Sequence, residues 1–287
     1  MLNSRNFKKI YYQLQDIDSQ ATAIHSILES LPFSLEFFHY ELENESNTEV
    51  KNKLTEVYNH LILDKYPVVL QSFLRKDVLS LQTIFGHLSA FVFEHRPFET
   101  ACKLDLFTNQ LIQRINKRVI DNGSPEEILG EINYKITQSL IIDSSFIGHY
   151  DFYEVPRQHI VSQYTLGILI LIIAEKLHLP IFGLPFIDKI VLCYTENYCT
   201  HSELVTENDI LYYVVLGEKD ITYTLEDLKL LAIIQEETLD FKAVLPQSTQ
   251  RIVELWLEHL SQGNFDAKTK FNLSSIYQQI FSLAEEF

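Results

Sequence analysis

Apolar residues recur every three to four positions from near the start of the chain to about residue 120, the spacing that lines one face of a helix. Ala21, Ile24, Ile27, Leu28 and Leu31 make one such stripe, which Pro32 ends. A short apolar helix is predicted over Leu35 to Tyr40, then an acidic, Asn-rich linker from Glu41 to Asn47. Val50, Leu54, Val57, Tyr58 and Leu61 form the next stripe, bounded by Lys65-Tyr66-Pro67. Val78, Leu81, Ile84, Phe85, Leu88 and Val92 form another, and Leu104, Phe107, Leu111, Ile115 and Val119 a fifth. Short connections favour antiparallel packing of such helices, and no fixed-period repeat is present.

The pattern changes at Asn122-Gly123. Ser124-Pro125-Glu126-Glu127 combines an N-cap serine, proline at the first helical position and glutamate at the third, so a helix is predicted through Ile136. Ser144 to Pro156 carries Tyr150, Phe152 and Tyr153 without periodicity and is predicted as loop. From Leu166 to Ala174 the chain is apolar on every side, which predicts a helix buried all round, running to Leu177. A membrane span needs about 20 apolar residues, and Glu175-Lys176 stop this run short of that. Thr165 stands at its start as a capping hydroxyl.

Beyond Pro180, Ile181-Phe182-Gly183 and Lys189 to Thr195 are apolar on both faces, as inner strands are. Ile210 to Leu216 is a further strand, and Gly217-Glu218-Lys219 turns it into Ile221 to Tyr223 as a hairpin. Thr224-Leu225-Glu226-Asp227 opens another helix with Leu228, Leu231 and Ile234. Pro246-Gln247-Ser248 precedes a helix bearing Ile252, Leu255, Trp256 and Leu260, broken at Gly263-Asn264, and Leu273 to Leu283 makes the last one. The fold class is α+β, with a helical N-terminal domain (1–123), a mixed core (124–245) and a helical C-terminal segment (246–287).

Composition narrows the partners. A chain of 287 residues, 46% hydrophobic, buries a sizeable core. Its formal net charge of −16 argues against nucleic acid, which clustered Lys and Arg would have to meet. The start, Met1 to Asn6, lacks the basic-then-apolar layout of a signal peptide. Three cysteines, Cys102, Cys193 and Cys199, give no disulfide framework, so a reducing, cytoplasmic setting is expected.

From Thr165 to Tyr194 the chain follows, without a gap, a pattern like PxSLxxLYxxVAxRLxLPVxGVxxPGHFxLxY, with Ala174, Leu177, Leu179-Pro180 and Gly183 on matching positions. That segment resembles the core of the SirB-type, transglutaminase-like family of bacterial proteins. The likeness extends upstream through Ser124 to Glu127 and Glu131-Ile132-Asn133. Downstream, Ile210 to Tyr213 and Tyr223 to Asp227 are similar to the family's FYINPFNxGxxFTxxDI. It covers roughly Phe93 to Leu260. The resemblance implies a small core of the papain-like cysteine protease superfamily, a central buried helix against an antiparallel sheet.

Transglutaminase-like enzymes use a cysteine at the start of the buried helix, with His and Asp on adjacent strands. The helix N-terminus and the imidazole lower the thiol pKa, and the thiolate attacks an amide or ester carbonyl. On the aligned positions this chain has Thr165, Lys189 and Val215. The SirB-type relatives themselves usually carry Ser or Thr at the first. A lysine at its ordinary pKa is protonated and takes no proton at neutral pH, and valine orients nothing. All three positions are thus degenerate, and no catalytic residue is expected among them.

Four other constellations carry chemistry in principle. Cys193, Cys199 and His201 lie close enough for a soft metal, but a fourth ligand is not evident, so no metal is expected. Cys193 is a possible displaced nucleophile with His149 or His159 as base, against the simpler alternative of an inert strand cysteine. A desolvated Lys189 is a possible amine nucleophile, against a solvated strand-end lysine. Glu126-Glu127 and Glu226-Asp227 complement helix dipoles rather than forming catalytic pairs. The expectation is a non-catalytic interaction, scaffold or regulatory protein with a protein partner, no cofactor, no nucleic acid and no membrane. The alternative is an acyl-transfer or amide-hydrolysing enzyme with rearranged thiol and His residues, and a third possibility is recognition of peptide side chains in the former cleft.

Overall fold

Local signals start most of the elements. In the computed structural model, which describes residues 10–14, 22–23, 26–27, 38, 41–42, 44–61, 80–93, 95, 97–143, 147–186, 189–196, 204–216, 222–234, 245–261, 263, 265 and 267–281, Asn47 caps α1 (Thr48–His60) by accepting the Glu49 and Val50 N–H groups. Leu54 and Tyr58 of this helix are buried, as its stripe predicts. The linker expected over Glu41 to Asn47 is different in part. Glu41, Leu42 and Asn44 are helical and Leu42 is buried, because one apolar residue among the acids is enough to draw that turn onto the core. Of the two earliest helices only Ile27 and Phe38 of the named positions are described, both fully buried; the rest of those elements, Lys65-Tyr66-Pro67 and Val78 lie outside the described residues.

Helix α2 (Leu81–Phe93) is buried from Ile84 to Val92 and packs against α3 (Pro97–Arg114). The two cross where Gly86 meets Ala101: a Cβ on Gly86 would lie 2.7 Å from the Ala101 Cα. The fifth stripe does not form one helix. It breaks at Asn116, whose side-chain oxygen accepts the Arg118 N–H (3.1 Å) and caps a separate α4 (Lys117–Asn122). An asparagine that offers its own acceptor to the backbone interrupts a helix that hydrophobic spacing alone would continue. Then α5 (Pro125–Thr137) opens with the expected reciprocal box, Ser124 N–H to Glu127 Oε2 and Glu127 N–H to Ser124 Oγ.

The stretch expected as loop, Ser144 to Pro156, is more ordered than its sequence implies. After β1 (Ile141–Ile142) come a 3-10 turn over Ile147–Tyr150 and α6 (Val155–Gln158), then β2 (Ile160–Val161), parallel to β1. Tyr150, Phe152 and Val155 are buried. Irregularly spaced aromatics here pin short turns rather than one face of a long element, which is why no periodicity marks them.

The central helix is α7 (Gln163–Leu177), buried on every side from Tyr164 to Ala174. It begins three residues before the apolar run. Its cap is Ser162, not Thr165: Ser162 Oγ accepts the Thr165 N–H at 3.0 Å. At the other end, Glu175 Oε2 accepts the Leu81 N–H at the start of α2 (3.0 Å). Lys176 Nζ reaches Asp105 Oδ1 (2.6 Å), Thr108 Oγ1 (2.8 Å) and Asn109 Oδ1 (3.0 Å) on α3. His178 then takes a left-handed conformation (φ 53°) and ends the helix.

An antiparallel sheet follows in the order β3 (Ile181–Phe186), β4 (Lys189–Thr195), β5 (Ile210–Val215) and β6 (Thr222–Tyr223). Its register gives each face a distinct role: Gly183 sits opposite Leu192, and Leu192 opposite Val214. Those positions face α7, which comes so close that a Cβ on Gly167 would stand 2.7 Å from the Ile190 Cβ. Leu184, Phe186, Val191, Cys193, Tyr213 and Val215 turn to the other face, beneath Leu228 of α8 (Leu225–Ile234). Thr224 and Asp227 cap α8 reciprocally, as predicted. The turn at 217–219 lies outside the described residues. Last come α9 (Thr249–Ser261), capped by Ser248, and α10 (Ala267–Phe281), which starts six positions before Leu273. The fold is therefore mixed, with α7 sandwiched between the N-terminal helices and a small antiparallel sheet. Among the described residues no helix is long and apolar enough to cross a membrane.

Candidate functional site

The start of α7 is where a transglutaminase-like chain would hold its nucleophile. Thr165 there is fully buried. Its hydroxyl lies 2.9 Å from that of Ser162, itself fully buried, and the Ser162 N–H donates to the His149 carbonyl (3.0 Å). Gln163 Nε2 donates to the Leu216 carbonyl (2.5 Å), tying the helix start to the end of β5. Lys189 is the first residue of β4, its backbone opposite Phe186, and its side chain lies outside the described residues. Val215 ends β5, opposite Val191, with its side chain in the cluster under α8. Thr165 therefore sits on the helix that covers one face of the sheet, while Val215 points from the other.

Cys193 shares that far face and is fully buried. Burial pushes its thiol up to about 12, with backbone hydrogen bonding opposing the rise only in part. The two histidines weighed as its base stand elsewhere. His149 Nδ1 is 2.7 Å from the Asp143 carbonyl, and His159, in a left-handed conformation (φ 56°), has Nδ1 3.2 Å from the Ser139 carbonyl. Neither makes a hydrogen bond with Cys193 among the described residues. Cys199 and His201 lie outside the described residues, and Cys102 is exposed. Among the described residues no three His, Cys, Asp or Glu side chains stand together as metal ligands.

Among the described residues, Asp151 centres a polar cluster that spacing does not announce. Asp151, almost fully buried, accepts the Ser89 hydroxyl (2.8 Å) and the Tyr153 N–H (3.0 Å), and its other oxygen lies 2.6 Å from His95 Nε2. Ser89 Oγ in turn accepts the Phe152 N–H (3.0 Å). The His95 ring stacks on Tyr153 with centroids 4.1 Å apart. Tyr153 donates to Glu99 Oε1 (3.0 Å), and Lys103 Nζ stands 3.4 Å over its ring. Serine, aspartate and histidine are all present, but the carboxylate is in the middle. In hydrolytic triads the imidazole stands between acid and serine and removes the hydroxyl proton. Here Ser89 donates directly to the acid, and the hydrogen bonds of Asp151 and Tyr153 fasten residues 151–158 to α2 and α3. A lone Asp among Tyr150, Phe152 and Tyr153 was the only local sign of it.

Comparison with known proteins returned no match: no family model, curated protein or solved structure aligns significantly with this chain. The helix start carries a buried hydroxyl, the far sheet face a buried thiol with its pKa raised, and Asp151 a carboxylate that fastens a loop.

Proposed function

We propose that this protein is a non-catalytic interaction module built on a degenerate transglutaminase-like core, with a protein as its partner. The observation that carries the reading is Thr165: a fully buried hydroxyl, held against Ser162 Oγ, has no approach for a substrate carbonyl. Cys193 supports it, since a fully buried thiol with its pKa raised is neither ionised nor accessible at neutral pH. The likeness over Phe93 to Leu260 supports the family reading, and the residues at Lys189 and Val215 support the loss of base and orienting acid. Retaining the packed helix and sheet while losing the reactive side chains is what a scaffold requires.

The test combines labelling with turnover. Iodoacetamide at pH 8 should modify the exposed Cys102 readily and leave Cys193 unmodified until the protein is unfolded. Amine incorporation into a glutamine peptide and hydrolysis of amide and ester substrates should stay at background. Turnover that Cys193→Ala or Thr165→Val abolishes, with the fold kept by circular dichroism, would overturn the reading and favour an acyl-transfer enzyme.

A further inference from the structure

We draw no further inference here: the strongest candidate, the groove of about 550 Å³ between α3 and residues 153–157 that Lys103, Phe107, Tyr153 and Arg157 line, carries nothing because its two cations already pair with Glu99 and Glu154 and nothing in the structure shows what covers its apolar wall.

Discussion

Among single residues, the glycines separate three kinds of constraint. At Gly167 a Cβ would stand 2.7 Å from the Ile190 Cβ, an atom fixed next to the β4 backbone that has little room to yield. Gly167→Ala should therefore destabilise the protein by about 1–3 kcal/mol, the usual cost of overpacking. At Gly183 the nearest atom is the mobile tip of Leu171, so the clash is easier to relieve. Gly130, inside α5 with open space around it, should behave in the opposite sense, and Gly130→Ala should stabilise by about 0.5–1 kcal/mol through chain entropy. Urea unfolding of the two alanine variants checks this, and equal midpoints would refute it. The sequence marks Gly167 only as a gap in an apolar run. Its meaning depends on Ile190, which another element supplies. The same holds for the helix cap: Thr165 and Ser162 are both hydroxyls near the apolar run, and the choice between them turned on where the backbone bends.

Elements announced by their own residues were legible, and elements fastened by distant ones were not. Ser124-Pro125-Glu126-Glu127 closes its box within four residues, and β4 and β5 follow from apolar, β-branched and aromatic runs, whereas β3 continues three residues past the expected Gly183 to Phe186 by pairing with β4. By contrast α6 and the 3-10 turn before it depend on Asp151 reaching Ser89, 62 positions earlier in the chain. No local pattern encodes that pairing. Removing the fastening gives a prediction. Asp151→Ala leaves the Ser89 hydroxyl buried without its acceptor and should cost about 1–3 kcal/mol. Amide exchange should quicken at Glu154 and Val155, whose N–H groups donate to the Asp151 carbonyl in the folded chain. Lys103→Ala, which removes an exposed ion pair with Glu99 from the same neighbourhood, should cost no more than about 1 kcal/mol. Unchanged exchange in the Asp151 variant would show that packing of Phe152 alone holds the segment.

For the whole molecule, one hydrophobic cluster runs from Tyr11 to Ile276 and draws on all three segments that the sequence distinguishes, 1–123, 124–245 and 246–287. Phe85, Phe152 and Trp256 come from one segment each, and the Phe85 ring centroid lies 5.6 Å from that of Phe152 and 5.7 Å from that of Trp256. Trp256 is the chain's single tryptophan, so its fluorescence reports on that junction. His87, two positions from Phe85 on α2, gives the junction a pH dependence. Burial pushes its imidazole down to about 4 from the ordinary 6.5, so the folded chain keeps it neutral. Below pH 6.5 the unfolded chain takes up the proton that the folded one refuses. The stability tied to this group is therefore complete above that pH and lost as pH falls through it toward 4, a loss of about 3 kcal/mol. His87→Gln keeps a polar group without the titration, and its stability should fall less steeply than the wild type's between pH 6.5 and 4. Carboxylate protonation acts on both proteins and cancels in the comparison. Trp256 fluorescence and far-ultraviolet circular dichroism should give the same midpoint at each pH, because the shared core leaves no segment free to unfold alone. Parallel stability curves for the two proteins would remove His87 as the cause, and separated midpoints would mean that the segments unfold independently despite their common cluster.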